Sequence, residues 1–116
     1  MSSHLSLNTR RVGDAAIVAV RGDIDLTTTA EAEAALDAAS RGATLLMLDL
    51  RAVGFMDTSG LRLVISEQRR AEAAGYRFAV VPGAGKVQRL FEIAGFPPGD
   101  ALFADAPAGP ASGDGA

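Results

Sequence analysis

No cysteine and no tryptophan occur in the 116 residues, and histidine occurs once. Without cysteine the chain has no disulfide, no thiolate metal site and no cysteine nucleophile, a composition that fits a reducing compartment. The lone histidine, His4, is far in sequence from any serine and aspartate that would complete a catalytic triad, and it reads as an edge-strand residue. Long hydrophobic runs are missing as well. The longest, Leu45 to Leu48, falls far short of the roughly 20 apolar residues that a membrane-spanning helix needs, and the N-terminal MSSHLSLNTRR lacks the apolar core of a signal peptide. Basic clusters are scarce: 11 Lys and Arg stand against 14 Asp and Glu, for a net charge of −3 and a pI near 5.0. A phosphate-binding face draws on clustered cations, so no direct nucleic-acid contact is expected, and Arg69-Arg70 reads as a solvated helix face. A soluble, cytoplasmic protein without membrane insertion is the expectation.

What is there suffices for one domain, since 48% of the residues are hydrophobic and a chain of this length buries one core. Residues 5–10 alternate, Gly13-Asp14 makes a turn, and AAIVAV follows, which together predict an antiparallel hairpin. Thr28-Thr29-Ala30-Glu31 has the form of a capping box, with the Thr28 hydroxyl accepting a backbone N–H and Glu31 reaching back. The helix it opens carries Ala32, Ala35, Leu36 and Ala39 at helical spacing and stops at Gly42. Thr44 to Leu50 is a nearly continuous apolar run, typical of a central strand covered on both faces. In the next helix Leu61, Val64, Ile65 and Gln68 form one face, while Arg62, Glu67, Arg69, Arg70 and Glu72 dominate the other, up to Gly75. A strand at Arg77 to Val81 and a helix with Val87, Leu90, Phe91 and Ala94 follow, and a short last strand fits Ala101 to Phe103. This order predicts an α/β fold with a mixed sheet of four to five strands: the N-terminal hairpin, then parallel strands joined by right-handed crossovers through three or more helices. The domain is placed at residues 1–105, and 106–116, rich in Ala, Gly, Pro and Ser, is read as a disordered tail.

Ligands of open α/β sheets sit beyond the carboxyl ends of the strands. Three loops are expected there: Gly22 to Asp25, Arg51 to Ser59, and Pro82 to Gly85. They bring Asp23, Asp25, Asp57, Thr58, Ser59 and Lys86 toward one edge. Asp57 suits an N-cap, and Thr58 and Ser59 suit a first helical turn. A hydroxyl at a helix N-terminus is also a place where a phosphoryl group is tolerated, because free N–H groups and the helix dipole favour negative charge. Phosphate on Thr58 would add about −1.5 to −2 charges beside Asp57 and Asp23 or Asp25. Asp23 and Asp25 lack the His, Glu or Asn company of a metal or acid–base site, so no metal and no cofactor is expected. Gly83-Ala84-Gly85-Lys86 is not a nucleotide loop, since Val80 and Val87 stand where a P-loop needs Gly and Ser or Thr. Met47 and Met56 read as packing residues.

Across roughly residues 5–104 the chain resembles the STAS domains, and within them the stand-alone anti-sigma factor antagonists. The resemblance rests on GDIDLTTT, LLMLDL, VGFMDTSGLRLVI and VQRLFEIAGF. It implies a partner switch. The unphosphorylated antagonist binds an anti-sigma factor, which frees a sigma factor. That anti-sigma factor is a kinase that uses ATP to phosphorylate the hydroxyl after the motif aspartate, and a phosphatase reverses the step. The implied phosphoacceptor is Thr58, with Ser59 as the alternative, and the implied partner-binding residues are Asp23, Asp25, Asp57, Ser59 and Gly60. The protein would then be a kinase substrate and binding module without catalysis of its own.

Two departures from the family pattern stand out. Threonine occupies the acceptor position where serine is commoner, and the C-terminal PPGDALFADAPAGPASGDGA is too rich in Pro and Gly for the family's last helix. Two rival readings remain. A two-component receiver would use Asp49, but the first strand lacks the acidic pair that holds magnesium. A STAS subunit of a lipid-transport ABC system, or a sensory scaffold, would keep the fold and dock a partner without a phosphorylation cycle.

Overall fold

The computed structural model describes residues 5–83 and 85–107. Strands β1 (Leu5–Val12) and β2 (Ala15–Ile24) form the expected hairpin, and α1 (Thr29–Ser40), β3 (Leu45–Met56), α2 (Thr58–Ala74), β4 (Arg77–Val81) and α3 (Lys86–Ile93) follow. The sheet has the order β1-β2-β3-β4, with β1 antiparallel to β2 and the others parallel. The last strand expected at Ala101 to Phe103 is reduced to one parallel bridge between Phe103 and Val80. Phe91 of α3 holds that segment through an edge-to-face contact with Phe103 at 5.3 Å. The tail beyond Pro107 and His4 lie outside the described residues.

All three helices lie on one face of the sheet. Ala32, Leu36 and Ala39 of α1, Leu61 and Val64 of α2, and Val87 and Phe91 of α3 share one core cluster with Ala16, Val18, Val20, Leu46, Leu48, Leu50 and Val80. The buried residues of opposite parity, Ile17, Ala19, Ala79 and Val81, are outside that cluster. The strand order explains this. Each parallel strand is laid down beside the previous one in the same direction, so right-handed crossovers put every helix on the same side. The expectation that β3 is covered on both faces is therefore corrected: its apolar run packs helices on one side only, and Leu45 and Met47 on the other side are half-buried.

Three local expectations also change. Both β2 and β3 run further than expected, so Asp23 and Arg51 to Met56 are strand residues instead of loop residues. The Thr28 side chain makes no cap bond to the first turn of α1. Its Oγ1 donates to the Asp23 carbonyl at 2.9 Å and accepts the Asp25 N–H at 3.0 Å, so it braces the chain entering the helix. Glu67, expected on the solvated face of α2, is fully buried. Neither carboxylate oxygen has a hydrogen-bond partner, and the nearest cation, Arg70, stands 3.9 Å away while holding Asp37 of α1 at 2.8 Å. Burial pushes the Glu67 carboxyl above the ordinary glutamate value; Arg70 opposes this, and Glu33 and Asp37 add to it.

Candidate functional site

The site forms where the carboxyl ends of β2 and β3 meet the start of α2. Asp57 is the N-cap, in extended conformation. Its Oδ1 accepts the Ser59 N–H at 2.8 Å, and its own N–H donates to the Ile24 carbonyl at 3.2 Å. The second bond ties the end of β2 to the entrance of α2. Gly60 closes the first turn and is buried. A Cβ there would come within 2.3 Å of Met56 Cγ and 2.6 Å of Met56 Sδ. Glycine is required because the helix start rests directly on the strand end, and that close seat holds the two preceding hydroxyls in place.

Thr58 is exposed and Ser59 is half-buried. Among the described residues the Thr58 hydroxyl makes no hydrogen bond, so it stands open to solvent beside free helix N–H groups. Ser59 instead lines a groove of about 300 Å³ between the starts of α1 and α2, with Leu26, Thr29, Glu33, Arg62 and Ser66.

The aspartates of the GDID segment differ from each other. Asp25 is spent on local structure: its Oδ1 accepts the Thr27 N–H at 2.9 Å and the Thr27 hydroxyl at 2.6 Å. These Thr27 bonds, with weaker help from Thr28, hold its carboxyl below the usual aspartate value. Asp23 is half-buried, pairs in register with Phe55, and has no hydrogen bond to its carboxylate among the described residues. Lys86 opens α3 and is exposed. Thus Asp23, Asp57, Thr58 and Ser59 gather at one edge, Asp25 buttresses it, and Gly60 lies beneath it.

Sequence reasoning missed two apolar side chains at this edge. Leu26 is 78% exposed and Phe55 is 48% exposed, large values for residues that flank a hydroxyl and carboxylates. The available signal was their position: Leu26 follows the GDID segment, and Phe55 stands two residues before the capping aspartate. Asp49, the acceptor in the receiver reading, is 1% exposed and held by Arg51 through contacts of 2.8 and 3.0 Å. That carboxylate is committed to an ion pair, and no group of metal ligands occurs among the described residues. No helix among them is long and apolar enough to cross a membrane.

Residues 7–97 match the family model described as Mlab, STAS domain, and the chain belongs to this family. Its fold is that of anti-sigma factor antagonists. The anti-sigma factor antagonist SpoIIAA in its unphosphorylated form superposes with a TM-score of 0.73 at 22% identity, covering 89% of this chain and 90% of that one. An anti-sigma factor antagonist from Mycobacterium paratuberculosis gives 0.71 at 24% identity, covering 90% and 86%. The phosphorylated form of the Bacillus cell fate determinant SpoIIAA gives 0.68 at 20% identity, covering 89% and 93%. No curated protein matches the sequence.

Proposed function

We propose that this protein is an anti-sigma factor antagonist whose Thr58 is a reversible phosphoacceptor. Unphosphorylated, it binds a cytoplasmic anti-sigma factor that is also a serine/threonine kinase, and so releases a sigma factor. The kinase adds phosphate to Thr58, a phosphatase removes it, and the protein itself catalyses nothing. The observation that carries this reading is the exposed, unbonded Thr58 hydroxyl at the start of α2, next to Asp57 and rimmed by Leu26 and Phe55. The apolar rim supplies contact area, and a phosphoryl group adds about −1.5 to −2 charges within that contact. Binding is lost by repulsion and desolvation, without refolding.

Incubation with candidate anti-sigma kinases and ATP, followed by mass mapping, tests the assignment. Phosphate on Thr58 and its loss in Thr58→Ala are expected. A Thr58→Ala protein that is still fully phosphorylated, or a Thr58→Glu protein that binds its kinase as tightly as wild type, overturns it. The name carried by the matching family model keeps a second reading in view, a STAS subunit that docks an ABC transport complex through the same edge. In that case no kinase modifies Thr58, and Thr58→Glu disrupts assembly with a permease and its ATPase.

A further inference from the structure

The face of the sheet opposite the helices is the least explained part of the molecule. Its residues follow from register. Successive rows across β1, β2, β3 and β4 read Val12, Ala15, Leu45, Arg77; then Arg10, Ile17, Met47, Ala79; then Asn8, Ala19, Asp49, Val81. Ser6, Arg21 and Ala52 make the next row, and Asp23 and Phe55 the far end. Arg51 belongs to this face through its pairing with Asp49. Arg10, Arg21, Arg51 and Arg77 are spread over 68 residues of sequence (77 − 10 = 67 steps), yet the sheet places them on one surface around an apolar centre.

We infer that this open face docks an acidic amphipathic helix of a partner protein. Three observations select that occupant. Asp49 is neutralised by Arg51, so Arg10, Arg21 and Arg77 face only Asp23 at the far end and Asp14 in the adjoining turn, on a protein whose net charge is −3. The local sign is therefore opposite to the global one, and it complements an acidic ligand. Width agrees: three interstrand spacings of about 4.8 Å give a surface about 14 Å across, matched to one helix of about 10–12 Å. The centre is built for aliphatic contact, with Val12 55% exposed and Ala15, Leu45 and Met47 half-buried. A second copy of this chain is disfavoured because pairing two such faces sets arginine against arginine. Nucleic acid is disfavoured because sheet readers of RNA stack bases on aromatic side chains, and the one aromatic here, Phe55, stands at the far end. This surface is separate from the Thr58 hydroxyl and does not depend on its modification.

The test uses the full-length chain, isotope-labelled, titrated with a synthetic helix bearing leucine on one face and glutamate on its flanks, and with its lysine-flanked counterpart. Shifts at Val12, Ala15, Leu45 and Met47 with the glutamate helix, at least tenfold weaker binding to Arg21→Glu/Arg77→Glu, and a smaller loss in Arg21→Ala/Arg77→Ala are expected. Thr58→Glu binds the peptide as wild type does. Equal affinity for the lysine helix, shifts confined to the groove between α1 and α2, or unchanged binding in both double variants overturns the proposal. So does preferential binding to anionic phosphatidylglycerol vesicles or single-stranded RNA, or concentration-dependent dimerisation through these rows.

Discussion

Two helix starts in this protein are made of the same materials and do different things. Before α1 the chain reads Asp25-Leu26-Thr27-Thr28, and before and into α2 it reads Asp57-Thr58-Ser59. At α1 every polar group is spent: Asp25 takes both donors of Thr27, and Thr28, 3% exposed, bridges Asp23 and Asp25. At α2 the aspartate makes one cap bond, and the following threonine is exposed and unbonded. A hydroxyl that holds a turn together cannot also be offered to a kinase. Availability, set by burial and hydrogen bonding, separates a cap from a candidate switch when the residue types do not.

The largest effect on this comparison is expected from Gly60→Val, which forces side-chain atoms into the space held by Met56 and unseats the start of α2. A loss of about 2–3 kcal/mol in urea unfolding is expected. Thr28→Val comes next, because it strands the Asp25 N–H and the Asp23 carbonyl inside the α1 start, at a cost of about 1–2 kcal/mol. Thr58→Val, the matched change at α2, alters stability by less than about 0.5 kcal/mol while abolishing phosphate incorporation. If the two threonines prove equally costly to replace, the contrast collapses. Glu67→Gln is expected to stabilise by about 1 kcal/mol at neutral pH. The sign follows from the raised carboxyl. Glu67 favours the folded state only when protonated, so its contribution is fully present below the ordinary glutamate value and is lost as pH rises through the higher folded value. Thermal melts across that range should decline less steeply for Glu67→Gln and converge with wild type in acid.

Much of this was legible in the sequence. The hairpin, the order of alternating elements, β4 and the capping role of Asp57 follow from short-range rules of turns, periodicity and caps. Bonds between segments are not carried by such rules. Thr28 has a capping-box spacing, but its hydroxyl is captured by the strand end behind it. Glu67 was assigned by its charge to the solvated face, although Gly60, Val64, Glu67 and Ala71 recur at the three- and four-residue spacing of a buried seam; position outweighed chemistry. The separation of Asp23 from Asp25, and the gathering of Arg10, Arg21, Arg51 and Arg77, depend on strand register, which no single segment records.

Register also constrains how the chain tolerates changes in length. Between the Ala19–Asp49 pair and the Ile24–Met56 pair, β2 advances five residues (24 − 19) and β3 advances seven (56 − 49), the surplus entering at two irregularities. Because the surplus is even, Asp49 and Phe55 return to the same side of the sheet. A one-residue deletion in this part of β3 would reverse the parity of everything after it, turning Phe55 inward and Met56 outward. A two-residue deletion would keep parity but draw Asp57 back by nearly two strand steps, about 7 Å, beyond reach of the Ile24 carbonyl. The length of β3 thus acts as a counter that must be right both modulo two and in absolute value for Thr58 to stand where it does.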